Sequence, residues 1–84
     1  KNQIVIFNIE NIQKFIDSKK INSSEKIDLN LLKKLKLINK ITKKIKILGN
    51  GQIKDKINLE VDFISKSVKD KLSKNGSTVK IKNI

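Results

Sequence analysis

The chain has 84 residues, 20 basic and 8 acidic, for a net charge of +12. That length allows one small domain with a marginal core, and that charge points to a polyanionic partner, nucleic acid first. Cys, His, Met, Trp, Tyr, Pro, Arg and Ala are all missing from the sequence, which excludes a disulfide scaffold and the usual His and Cys zinc sites.

All the basic residues are lysines, and Ile (16), Lys (20) and Asn (10) fill 46 of the 84 positions, as strongly AT-rich codon usage produces. The hydrophobic fraction of 37% is mostly Ile and Leu in short periodic runs, so a small packed core is expected rather than a disordered basic tail. The lysines are spread along the chain instead of lining one amphipathic helix, which argues against a membrane surface. No apolar run approaches the roughly 20 residues that span a bilayer, and no signal-peptide pattern is present. Lys1 in place of an initiator Met suggests a processed product or a piece of something longer.

In chain order, Gln3 to Phe7 reads as a strand. Asn8 then serves as N-cap of a helix carrying Ile9, Ile12, Phe15 and Ile16 on one face. Ser18 to Lys26 is a polar connection with an isolated Ile21, and a second short helix starts at Asp28 with Leu29, Leu31, Leu32 and Leu35. From Lys43 the period changes to two, with Ile45 and Ile47 facing in and Lys44 and Lys46 facing out.

Gly49, Asn50 and Gly51 tolerate positive φ and mark a turn, whose plain reading is a hairpin. A strand follows in which Ile57, Leu59 and Val61 alternate with Asn58, Glu60 and Asp62. Ser65 caps a third helix, with Val68 and Leu72 inward, Lys66, Lys69, Lys71 and Lys74 outward, and Asn75-Gly76 at its end. Thr78 to Lys82 closes the chain as a strand with Val79 and Ile81 inward. Strands and helices alternate without a Gly/Ser linker or clear repeat, giving a small α/β unit spanning residues 1–84.

Seven cations, Lys33, Lys34, Lys36, Lys40, Lys43, Lys44 and Lys46, fall within 14 residues that hold no acidic side chain. Such a run is ordinarily a solvated face, but without carboxylates it repels itself and gains from a neutralising polyanion, so phosphate contact is the stronger reading. The Gly49-Asn50-Gly51 turn could aim backbone N–H groups at an anion. It lacks the Gly-Lys-Ser/Thr ending of a nucleotide-binding loop, and nucleotide binding is rejected. Ser65, Lys66 and Ser67 could place a phosphate at a helix N-terminus or serve only as a cap, and the two readings are compatible.

Base recognition commonly uses aromatic stacking or Arg, and only Phe7, Phe15 and Phe63 are available. All three sit in core-like patterns, so recognition of backbone shape is expected. For catalysis, Ser24, Ser67 or Ser73 would need a base, yet there is no His and the carboxylates form no evident pair. An enzyme, a cofactor and a small-molecule substrate are not expected.

The ordered set Lys46-Ile47-Leu48-Gly49-Asn50-Gly51-Gln52-Ile53, Ile57-Asn58-Leu59, Ile64-Ser65-Lys66-Ser67, Leu72 and Gly76 resembles the C-terminal pattern of the L-fifteen family of bacterial-type large-subunit ribosomal proteins. Phe7 to Ile12 and Leu29 to Ile38 fall where that family has its first two helices, so the resemblance covers nearly the whole chain. Val68 stands where a small Ala is usual, and Ser77 where a second Gly is common.

The resemblance implies a fold of irregular β and α units in superhelical turns, related to the L-eighteen-e proteins as well. The implied role is structural, binding large-subunit ribosomal RNA during assembly beside neighbouring ribosomal proteins. It also implies a Gly-rich basic N-terminal tail, which this chain does not show. With the lysine run, the expected RNA contacts are Lys33, Lys36, Lys40, Lys43, Lys44, Lys46, Gly49, Asn50, Gly51, Ser65, Lys66, Ser67 and Lys69. The expected location is the bacterial cytoplasm, with a mitochondrial or plastid ribosome as the alternative. Two rival readings are a module for non-ribosomal nucleic acid and a subunit whose lysines meet an acidic protein.

Overall fold

A computed structural model describes residues 3–82, so Lys1 lies outside the described residues. Its Cα radius of gyration is 11.7 Å, close to the roughly 12 Å expected of a fully packed chain of this length.

The elements follow one another as β1 (Ile4–Asn8), α1 (Ile9–Asp17), β2 (Lys26–Ile27), α2 (Leu29–Lys34), β3 (Lys44–Leu48), β4 (Asn58–Val61), β5 (Phe63–Ile64), α3 (Lys66–Lys74) and β6 (Thr78–Ile81). Odd-numbered strands form one sheet in the order β1-β3-β5, and even-numbered strands form the other in the order β2-β4-β6. Every pairing is parallel. The chain therefore passes from one sheet to the other at each step and lays down one new strand on each in every circuit. This coil is the superhelical α/β arrangement that the family pattern implies.

The core follows from the two-residue period. Ile45 and Ile47 of β3, Ile27, Leu59 and Val61 of the second sheet, and Ile9, Ile12, Leu32, Val68 and Leu72 of the helices are all fully buried. Val5, Phe7 and Ile64 complete the inner side of the first sheet. Helical spacing brings Ile9 and Ile12, and again Val68 and Leu72, onto one side of their helices. Val68, larger than the family's usual Ala, fits with no exposed surface.

The helix starts agree with the expectation, each in its own way. Asp28 caps α2 through its side chain, Oδ1 accepting from the Leu31 N–H at 2.9 Å. Asn8 holds the N-cap position of α1 in extended backbone, but the closing bond runs from its N–H to Asn11 Oδ1 at 2.8 Å. Asn8 Oδ1 itself is buried with no hydrogen-bond partner among the described residues. Ser65 is the N-cap of α3 by position only, since its side chain makes no capping bond.

The structure departs from the sequence pattern at four places. The Gly49–Gly51 turn does not close a hairpin, because β3 and β4 belong to different sheets. Asp62 does not face outward: it is the single residue between β4 and β5, where the chain crosses from one sheet to the other. There its N–H donates to the Ile45 carbonyl at 3.1 Å and its Oδ1 accepts from the Ile45 N–H at 3.0 Å, so a carboxylate only 8% exposed is bonded to backbone. Ile81 is 37% exposed at the end of β6 rather than buried. Lys26, at the end of the polar connection, forms with Ile27 the short strand β2, and Ile21 within that connection is a core residue, 1% exposed.

Candidate nucleic-acid interface

Register decides which lysines share a surface. Ile4 is level with Lys44, and Ile6 with Lys46; Lys46 is level with Phe63 on the other side. Since residues at one level of a sheet share a face, the outer side of the β1-β3-β5 sheet presents Ile4 and Ile6, then Lys44 and Lys46 along the central strand, then Phe63. Lys44 and Lys46 are exposed. Lys44 Nζ lies over the Phe63 ring, 5.8 Å from its centroid. The strands of this sheet contain no acidic residue.

The outer side of the second sheet differs. Lys26 Nζ lies 3.0 Å from Glu60 Oε1 and 3.8 Å from Asp28 Oδ2, while Lys80 is level with Glu60. Its hydrogen bond and charge attraction to Glu60 raise the Lys26 ammonium above its ordinary pKa. This pair is held while Lys26 is charged and is lost as pH rises through that raised value. One sheet thus pairs Lys26 with carboxylates, whereas Lys44 and Lys46 on the other lie on strands that carry none.

The Gly49–Gly51 turn is fixed between two helices. A Cβ on Gly49 would lie 1.7 Å from Ser67 Oγ and 3.5 Å from Ser65 Oγ, so the turn runs directly against the start of α3. Ser65 Oγ and Ser67 Oγ are 3.3 Å apart. Gly51 has φ of +90°, and a Cβ there would meet Glu10 Cβ at 2.3 Å. The Asn50 carbonyl accepts from the Glu10 N–H at 3.2 Å.

Lys71, expected to face outward, instead donates from Nζ to the carbonyls of Gly49 at 2.6 Å and Gly51 at 2.5 Å. Its position three residues after Val68 and one before Leu72, beside the apolar stripe of α3, was the signal available for this. Lys71→Met is expected to destabilise the chain by about 1–3 kcal/mol, the cost of leaving two charged hydrogen bonds unmade. Chemical denaturation of the pair of proteins measures this, and an unchanged midpoint would show that the turn stands without the cation.

The other expected contacts are dispersed. Lys33 is half-buried in the last turn of α2, and Lys36, Lys40 and Lys43 are exposed along the segment leading to β3. Lys36 adopts positive φ of 62°. Lys66 and Lys69 are exposed on α3. The structure thus brings Gly49, Ser65 and Ser67 together, and separately Lys44 with Lys46; no single pocket gathers all thirteen.

Phe63 is the residue whose placement the sequence misses. Phe7 and Phe15 pack edge to face, ring centroids 5.6 Å apart, and both join the core, whereas Phe63 does not belong to it. Extending the inward alternation of Ile57, Leu59 and Val61 puts Phe63 inside; the crossing at Asp62 turns it out. Among the described residues, no group of His, Cys, Asp and Glu is placed to hold a metal ion, and no helix is long and apolar enough to cross a membrane.

Residues 6–80, from within β1 to within β6, match the family model of the ribosomal proteins 50S-L15 and 50S-L18e and their 60S relative. The chain belongs to this family. It is 58% identical over 79 residues, 94% of its length, to the large ribosomal subunit protein uL15 of Pelagibacter ubique. It is 42% identical over 73 residues to the protein of that name from Ehrlichia chaffeensis, covering 87% of the chain, and 43% identical over 63 residues to that of Borreliella afzelii, covering 75%. These matches take in 52%, 47% and 43% of the respective relatives, so the chain spans about half their length. The family match takes in both sheets and all three helices, and with them the cationic face and the anchored turn.

Proposed function

We propose that the chain is a structural, RNA-binding part of a large ribosomal subunit, holding ribosomal RNA through lysine contacts to phosphate, with no catalytic role. The observation that carries this is the outer side of the β1-β3-β5 sheet, where Lys44 and Lys46 stand without carboxylates in a chain of net charge +12. Membership of a ribosomal protein family supports the identity of the polyanion.

Lys33, Lys36, Lys40 and Lys43 extend the contact along the approach to β3. Lys66 and Lys69, with Ser65, Ser67 and the Gly49-Asn50-Gly51 turn, offer a second group of phosphate contacts at the start of α3, where free N–H groups and the helix dipole favour an anion. Each ammonium that meets a phosphate releases condensed counterions, so binding weakens steeply with salt. The location that goes with this role is the ribosome of the bacterial cytoplasm, among neighbouring large-subunit proteins.

Sedimentation of a lysate in moderate and then high salt tests the assignment. The protein is expected to travel with large subunits and to resist the wash. Remaining at the top of the gradient under both conditions would overturn the reading in favour of an acidic protein partner.

The salt slope of RNA binding tests the face. Lys44→Gln with Lys46→Gln is expected to make the slope shallower by about 1.4–1.8 units in log K against log salt, while Lys26→Gln with Lys80→Gln, on the sheet that carries Glu60, leaves it nearly unchanged. Equal effects from the two pairs would assign the contacts to diffuse charge rather than to this face.

A further inference from the structure

We infer that the outer side of the β1-β3-β5 sheet is a docking platform for unpaired RNA nucleotides, with phosphates on Lys44 and Lys46 and a base stacked on Phe63. This rests on the RNA-binding reading above and specifies which form of RNA that face takes.

The face has an unusual layout for a surface left to solvent. Ile4 is 46% and Ile6 57% exposed, although branched aliphatics elsewhere in this small chain are largely drawn into the core. Phe63, level with Lys46 and partly exposed, is the one ring kept out of that core, and a base stacks on it as the Lys44 ammonium now over the ring swings out to a phosphate. Apolar groups therefore flank a charged centre: Ile4 and Ile6 on one strand, Lys44 and Lys46 on the middle strand, Phe63 on the third.

That order selects the partner. The centre of a protein–protein interface is depleted in charge, lysine above all, and its polar groups lie at the rim. Two lysines on the central strand are the reverse of that pattern. A second copy of this chain is disfavoured as well, since each carries +12.

A single-stranded nucleic acid fits, because its phosphates are anionic and its bases have flat apolar faces that stack on aromatic side chains whatever their sequence. Lys44 and Lys46 lie about 6.6 Å apart along the strand, so they can meet successive phosphates of an extended backbone. Duplex RNA offers only its phosphates and sugars here, with its bases stacked away from Phe63. A shallow recess of about 230 Å³ lined by Gln3, Ile4, Lys43 and Lys44 adjoins this face. The Gln3 amide there can both donate to and accept from a base edge.

The test uses the complete protein assembled into large subunits, with Ile6 replaced by a diazirine-bearing aliphatic amino acid. Irradiation is expected to give a nuclease-sensitive adduct that maps to an unpaired stretch of ribosomal RNA. In the same particles, Phe63→Ala is expected to make the adducted stretch severalfold more reactive to a 2′-hydroxyl acylating probe, while Phe63→Trp keeps it protected, as loss and retention of a stacking partner predict.

An adduct to protein, an adduct to duplex RNA, no adduct in particles that contain the protein, or unchanged reactivity with Phe63→Ala would each overturn the platform while leaving the ribosomal RNA-binding reading standing. Failure of unmodified protein to enter large subunits would overturn that reading and this inference together.

Discussion

Replacing Gly51 by alanine is expected to destabilise the chain by about 2–5 kcal/mol, a large part of the roughly 4–13 kcal/mol that a domain of this length possesses. Two costs combine. The residue adopts φ of +90°, which an L side chain enters at about 1–2 kcal/mol. The new Cβ would also lie 2.3 Å from Glu10 Cβ. Because that atom is fixed to the first turn of α1 and cannot rotate away, backbone must move, at about 1–3 kcal/mol as in an overpacked core.

Gly76→Ala is the matched control. Its φ of +79° carries the same conformational cost, but its Cβ would meet only the flexible end of Lys56, with Cε at 3.2 Å. Urea denaturation of both variants separates the terms. Equal losses would mean that the approach of the turn to α1 contributes nothing.

Gln13→Ala comes next, at about 2–4 kcal/mol. Gln13 is 5% exposed and all of its polar capacity is engaged. Nε2 donates to Asp17 Oδ1 at 2.9 Å and to Asp55 Oδ2 at 2.8 Å, while Oε1 accepts from the Lys54 N–H at 2.7 Å and the Asp55 N–H at 3.3 Å. These bonds fasten the segment after the Gly51 turn to α1. Losing bonds to charged groups and leaving the part-buried N–H groups of Lys54 and Asp55 unmet has this magnitude.

Gln13→Glu supplies a pH test. It puts a third carboxylate where two already converge, and this mutual repulsion raises the pKa of the introduced carboxyl in the folded state. A raised folded pKa means that stability is present while the group is protonated and is lost as pH rises. Thermal melts should therefore show Gln13→Glu closer to the parent near pH 4 than at pH 7. A deficit independent of pH would show that the carboxylates stay apart.

Local pattern made most elements legible. Asn8, Asp28 and Ser65 begin helices, and Lys44 to Leu48 alternates as expected, because capping and two-residue periodicity are properties of adjacent residues. What escaped depends on crossings between sheets. A strand as short as Lys26-Ile27 or Phe63-Ile64 has no period of its own, and it is a strand only because Leu59 or Ile47 lies beside it. For the same reason the Gly49–Gly51 turn read as a hairpin, since nothing nearby in sequence shows that the strand after it joins another sheet.

The candidate interface was half legible. A run of lysines without acids announces a polyanion, and alternation puts Lys44 and Lys46 outward. Their neighbours could not be read, because Ile6 and Phe63 come beside Lys46 only through parallel pairing with strands distant in sequence. Lys71 shows the opposite case, a cation counted with the solvated face whose short contacts to two carbonyls make it part of the scaffold.

The alternation of sheets also bears on how the protein is made. No strand pairs with the one that follows it: Ile4 waits for Lys44, Lys26 for Asn58, and Asn58 for Thr78. A nascent chain that has emerged only to Lys56 can hold one pair, β1 with β3, while β2 has no neighbour and the apolar sides of both sheets lie open. Closure before synthesis reaches β6 is ruled out by the topology, and parallel, distant pairings are slow to form in any case. During that interval the strand edges of an unfinished chain stay unpaired. The excess of lysine over acidic residues then opposes association between unfinished chains.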